Sequence, residues 1–117
     1  MQDAAYDSLL KSRRRELHAE VARLLAATQP DIATVAPELL AYHYAAAERH
    51  GLAAPLWLKA AETAFARFAL AETLSHLRAG LAATAKLRPS RQRDLVELNL
   101  RSLMGPTLVA QRGWANA

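Results

Sequence analysis

Four histidines, His18, His43, His50 and His76, are the strong nitrogen ligands of this sequence, and no cysteine accompanies them. His43 and His50 stand seven residues apart, two turns along one side of a helix. Helical zinc sites use pairs at i,i+4 with a third ligand close by, and the i+4 neighbour of His43 is Ala47. The spacing therefore favours packing for His43 and a helix C-terminus for His50, where positive charge is welcome. No metal site is expected. A nucleophile would have to be Ser8, Ser12, Ser75, Ser90, Ser102 or a threonine. Ser75 and His76 are adjacent, so on a helix they point about 100° apart and cannot form a dyad. Glu16 and Glu20 share a face and could imitate paired carboxylates, but a solvated charged face explains them. Gly51, Gly80, Gly105 and Gly113 lie too far apart for a G-x-x-x-x-G-K-[ST] phosphate loop. No catalytic, cofactor-binding or metal residue is assigned, no cofactor is expected, and the chain is read as not an enzyme.

The run Ser12-Arg13-Arg14-Arg15-Glu16-Leu17-His18 raises nucleic acid as a partner, as does a pI near 10.0 with a formal charge of +4. The three arginines fan over about 200° of a helix and cannot form one flat patch. Asp7, Glu16 and Glu20 compensate them locally. The basic surplus sits later, at Lys86, Arg88, Arg91, Arg93 and Arg101 against Asp94 and Glu97. Neither group has interleaved aromatic side chains, and no helix-turn-helix is clear. A basic helical module binding nucleic acid through Arg13–Arg15 and Arg88–Arg93 is kept as the alternative reading. Arg14 falls on the apolar stripe between Leu10 and Leu17. It is expected to lay its stem on apolar neighbours at a junction and to pair with Glu38, Glu48 or a missing domain.

The elements that carry these residues are all helical. The 117 residues, 52% hydrophobic and rich in alanine, suffice for one domain with a modest core. Strand alternation is missing, and the longest charge-free apolar run, Leu52 to Leu58, is too short to span a membrane. Without cysteine or a signal-like N-terminus, a cytoplasmic setting is expected.

Five helical stretches are expected. The first, from about Asp3 to Ala27, carries the stripe Tyr6, Leu10, Leu17, Val21 and Leu24. The second, Val35 to His50, begins near Pro37 and ends at Gly51 as a left-handed cap. Leu39, His43, Ala46, Ala47 and His50 line one side of it, widened by Leu40 and Tyr44. The third, Ala54 to Phe68, presents Trp57, Ala60, Ala61, Ala64 and Phe68 on one face. The fourth, Leu70 to Leu87, presents Leu70, Leu74, Leu77, Leu81 and Ala85. Gly80 in its middle costs about 1 kcal/mol against alanine, a cost that a close helix crossing would justify. After Pro89, with Ser90 as N-cap, the fifth carries Leu95, Val96, Leu100, Leu103 and Leu108. Gly105-Pro106 is expected to kink or interrupt it.

The hairpin Ala54–Leu87 resembles a tetratricopeptide repeat, with Trp57 at the first large position and Ala60, Ala61 and Ala64 at the next inward ones. Leu70, Thr73, Leu77 and Gly80 follow in the second helix, Thr73 standing where alanine is usual. Gly105 and Leu108 take the corresponding positions of a second, truncated repeat that Trp114 would continue. The order "QDAAYDSLLKSRRRELHAEVARLL", "PELLAYHYAAAE", "WLKAAETAFARFALAETLSHLRAGL", "GPTLVAQRGW" is similar to one stretch of bacterial STAND-type P-loop ATPases. These are often fused to class III adenylate/guanylate cyclase or LuxR-type domains. The resemblance implies post-ATPase helices followed by the first repeats of an array, and nucleotide chemistry in a parent rather than in this chain.

The resulting expectation is an all-α fold of antiparallel helical hairpins, the start of a tetratricopeptide-like right-handed solenoid. Residues 1–51 would form two junction helices after a missing ATPase module, 52–88 the hairpin, and 89–117 a truncated second repeat. The function expected is a non-catalytic scaffold for protein–protein interaction. A protein, a peptide or the rest of a larger chain would dock on Phe65, Leu100, Val109 and Trp114, and self-association through the open repeat end is a further expectation.

Overall fold

The structure, a computed structural model, describes residues 3–115, and side chains as far as Gly113. Six helices make it up: α1 (Ala4–Thr28), α2 (Ile32–Val35), α3 (Pro37–Ala46), α4 (His50–Ala66), α5 (Leu70–Ala85) and α6 (Arg91–Ala115). The described residues contain no strand. The all-α expectation holds. Each main packing joins helices that are neighbours in sequence or one helix apart: α1 on α3, α3 on α4, α4 on α5, and α6 on α5 and α4.

Local signals start three of these helices. Asp3, in extended conformation, caps α1 by accepting the Ala5 N–H at 3.0 Å. Pro37 opens α3, where its missing N–H leaves nothing unpaired. Ser90 caps α6 through Oγ, which accepts the Arg93 N–H at 3.0 Å. The Gly105-Pro106 pair does not interrupt α6, which runs on through both residues.

The helix ends differ from expectation in an instructive way. Gly51 is no cap: it lies in the first turn of α4 and has no left-handed φ. The chain turns at Glu48, with φ 61°. There the Glu48 N–H donates to the Ala45 carbonyl (2.9 Å) and the Arg49 N–H to the Tyr44 carbonyl (2.8 Å). The same pattern recurs after α4. Phe68, with φ 59°, donates to Phe65 (2.9 Å), and Ala69 donates to Ala64 (2.9 Å). Both are Schellman caps, with a non-glycine residue in the position that glycine usually takes. Phe68 is therefore not on the inward face of α4; it is exposed at the turn.

Two apolar clusters hold the row. Ala22, Ile32 and Leu40 join α1, α2 and α3, with Leu25, Tyr44 and Leu56 against them. Ala61, Leu77 and Leu100 join α4, α5 and α6, backed by Leu58, Val96 and Leu103. On α4 the buried positions are mostly small, Ala53, Ala54, Ala60, Ala61 and Ala64, which lets neighbouring helices come close. The stripe of α1 behaves unexpectedly. Tyr6, Leu10, Leu17, Val21 and Leu24 are all exposed, and α1 meets the rest of the chain through Ala22 instead. On α3 the buried residues are Pro37, Leu40 and Ala41, while Leu39 is exposed.

Candidate functional site

The tightest junction is at Gly80. It is buried in α5, and a Cβ built there would meet Leu100 Cδ2 at 2.8 Å, Leu100 Cδ1 at 3.2 Å and Trp57 Cβ at 3.2 Å. Three helices converge on a position that has no room for a methyl group, the close crossing that a mid-helix glycine implies. Trp57 is half-buried and stacks on the His76 ring at 5.6 Å. Ala60, Ala61, Ala64, Leu70, Thr73 and Leu77 are all buried, so this part of the expected packing set is assembled around one hairpin. Thr73, where an alanine is usual, satisfies its hydroxyl by donating to the Ala69 carbonyl at 2.8 Å.

The expected partner surface needs correction. Leu100 is fully buried, 0% exposed, because its face of α6 turns onto α5 and α4 and fills the space beside Gly80. Phe65 is half-buried. Val109 is open, 73% exposed, and the side chain of Trp114 lies outside the described residues. Gly105 and Leu108 are not at a buried crossing among the described residues. Leu108 is exposed, and a Cβ at Gly105 would meet nothing within 4 Å. Beside them lies an outer apolar stripe of α6, to which Leu95, expected together with Val96, Leu100 and Leu103, belongs. Leu95 (58% exposed), Leu98 (60%), Gly105 and Val109 face away from the core, whereas Val96, Leu100 and Leu103 face it. The separating signal was in the spacing: 95, 98, 102, 105 and 109 alternate steps of three and four.

Polar groups cluster where α1 meets α3. His18 Nδ1 and His43 Nδ1 lie 3.0 Å apart, 25 residues distant in sequence, and Tyr42 closes on both rings edge-on at 5.8 and 5.2 Å. One imidazole must donate and the other accept, so the contact requires at least one neutral ring. Burial, and then the charge of His18, holds His43 below the usual imidazole range. His50 is also lowered, by burial and by Lys86, with Glu48 opposing. Among the described residues no three metal-ligating side chains converge. Ser75 is exposed while His76 lies under Trp57, so the two do not act together.

The arginines divide between inward and outward roles. Arg15 takes Glu48 at 3.4 Å, so the carboxylate considered for Arg14 goes to its neighbour. Arg14 is exposed beside the α1 stripe and has no ion pair among the described residues. Arg93 is largely committed within the fold. Its Nε donates to the Thr84 carbonyl at 3.1 Å, and Nη1 reaches Asp94 (3.0 Å) and Glu97 (3.2 Å). Arg13, Arg88 and Arg91 remain exposed. A cleft of about 730 Å³ between α1 and the α3–α4 corner mixes Arg15, Arg23 and Arg49 with Glu16 and Glu20 over an alanine floor. Glu20 is bound to Arg23, whose hydrogen bond holds it below the usual carboxylate range. This lining is not the single-signed groove that tracks a phosphate backbone. No helix among the described residues is long and apolar enough to cross a membrane. Compared with protein-family models, with curated proteins and with solved structures, the chain finds no match in any of the three.

Proposed function

We propose that this chain is a non-catalytic helical scaffold for protein–protein interaction, a coupling segment of a larger signalling ATPase, cyclase or transcriptional regulator of the STAND type it resembles. One observation carries the reading. The first and last helices of the row each present an apolar stripe that the described residues leave uncovered: Tyr6, Leu10, Leu17, Val21 and Leu24 on α1, and Leu95, Leu98 and Val109 on α6. Isolated surface leucines are ordinary, but stripes in helical register at both ends of a row suit a module built between neighbours. The buried small residues at the α4–α5–α6 crossing support tetratricopeptide-like stacking. In this scheme α1 meets the nucleotide-driven side, with Arg14 at the junction, and α6 receives a partner or a following repeat.

The test replaces Leu17 and Val21 together with glutamine. If their role is docking, thermal stability stays within about 0.5 kcal/mol of the parent, as for other surface changes. Binding of an apolar dye to the chain falls, and coupling in a nucleotide-driven parent is lost. A stability loss of about 2 kcal/mol or more, as in a core truncation, would refute the reading. Duplex DNA is titrated alongside, and an affinity that falls steeply with rising salt would favour the nucleic-acid alternative.

A further inference from the structure

The outer face of α6 has an internal symmetry that points to its occupant. Leu95, Leu98, Ser102, Gly105 and Val109 recur at alternating steps of three and four, a heptad seam with 95, 102 and 109 at one position and 98 and 105 at the other. The seam lies opposite the face that buries Leu100 and Thr107. Its two halves differ in shape. The N-terminal half projects two large exposed side chains, Leu95 and Leu98. The C-terminal half is a hollow of about 620 Å³ lined by Gly105, Leu108, Val109, Arg112 and Gly113. A second copy running the other way would set Leu95 and Leu98 beside this hollow, with Val109 as its exposed apolar wall.

We propose that two copies of this chain pair through α6, antiparallel, about a two-fold axis between Ser102 and Gly105. In antiparallel pairs the two seam positions alternate across the interface. Ser102 then faces Gly105 of the partner subunit, and Leu98 faces Val109 of the partner subunit. The centre is small, and Gly105, whose missing Cβ leaves open space, lets the helices approach. At each end Leu95 and its neighbour Asp94 come beside Arg112 of the partner subunit. The charges agree with this register. Asp94 is exposed and, among the described residues, pairs only along its own helix, with Arg93. Arg112 is exposed, with no ion pair among the described residues. Symmetry makes each such pair twice. A parallel arrangement would set Asp94 against Asp94 and Arg112 against Arg112. The pairing rests on the reading of the outer faces as interaction surfaces, and names what covers one of them.

Sedimentation equilibrium of the whole chain across micromolar to high-micromolar concentrations tests it. The expected result is a monomer–dimer equilibrium that Val109→Glu abolishes while helix content is unchanged. Arg112→Asp and Asp94→Arg should each weaken the dimer by about tenfold, since two attractive pairs become repulsive. The double reversal should restore it. Orientation is read by mixing Leu95→Cys and Arg112→Cys chains, each carrying a single cysteine because the parent has none. Antiparallel pairing gives a mixed disulfide, and parallel pairing links Leu95→Cys to itself. A chain monomeric throughout, a dimer indifferent to Val109→Glu, charge reversals that fail to compensate, or a self-linked Leu95→Cys product would each overturn the proposal. A monomer that still passes the Leu17/Val21 test leaves the scaffold reading standing and removes only the self-pairing.

Discussion

Gly80→Ala sets two effects of known size against each other. Alanine in a helix interior is favoured over glycine by about 1 kcal/mol, so on propensity alone the substitution stabilises α5. Its methyl group, however, would sit 2.8 Å from Leu100 Cδ2 and 3.2 Å from Trp57 Cβ. Leu100 is 0% exposed, so its end can turn aside only by displacing other buried side chains such as Ala61 and Leu77. The Trp57 Cβ is fixed to the α4 backbone, so relief on that side means moving a helix. Overpacking of this kind costs about 1–3 kcal/mol. The net expectation is a loss of about 1 kcal/mol, or roughly 4–5 °C in the melting midpoint of a domain this size. Urea and thermal unfolding followed by circular dichroism would measure it. Gly51→Ala is the control. Its Cβ would meet only Leu87 Cδ2 at 3.8 Å, an ordinary contact, so it should gain about 0.4–1 kcal/mol. Combining Gly80→Ala with Leu100→Ala should cost less than the sum of the two, by at least about 0.5 kcal/mol, because the truncation removes the colliding atoms. A more stable Gly80→Ala protein, or strict additivity with Leu100→Ala, would refute the three-helix crossing.

Two further outcomes follow from the polar contacts. Because folded His43 is held below its ordinary value by burial and by His18, the unfolded chain takes up the proton first. Its contribution is complete above about pH 6.5 and is lost as the pH falls through the depressed folded value. Melting temperature should therefore drop from pH 7.5 toward 5.5. His43→Gln should flatten that slope, and adding His50→Gln, whose parent shift has the same sign, should flatten it further; a slope untouched by both would remove the histidines as its cause. Arg93→Ala breaks the link from α6 to the Thr84 carbonyl and both carboxylate contacts. It should cost about 1–2 kcal/mol in urea unfolding, with Arg93→Lys recovering little because lysine lacks the planar fork.

The helices were legible because the pattern offers no competing alternation, and because Asp3, Pro37 and Ser90 mark starts with local chemistry. Gly80 was legible as a crossing, since a mid-helix glycine needs a packing reason. What stayed hidden was mostly non-local. The α1 stripe looks like a core face, yet the contact is made through Ala22, Leu25 and His18 on another side of that helix. Apolar periodicity reports that a face wants cover and is silent about which molecule supplies it. Leu100 and Leu98 are equally apolar, two residues apart, and only the position of α5 decides which one is buried. The left-handed caps at Glu48 and Phe68 escaped because neither is glycine, so the sequence pointed to the nearby Gly51. The meeting of His18 and His43 across 25 residues leaves no trace in spacing.

The ordering of the helices has a kinetic consequence. Since the main packings join sequence neighbours or helices one apart, few long loops must close before contacts begin to repay their entropy, the condition for rapid folding. The α4–α5 hairpin closes through a short Schellman turn and can form first, after which order spreads outward in both directions. Protection against amide exchange should then be graded, strongest around Leu77 and weakest in α1, which buries only Ala22. A neighbour that covers an end helix would extend the zipper by one step, so its binding would be read as slowed exchange at that end.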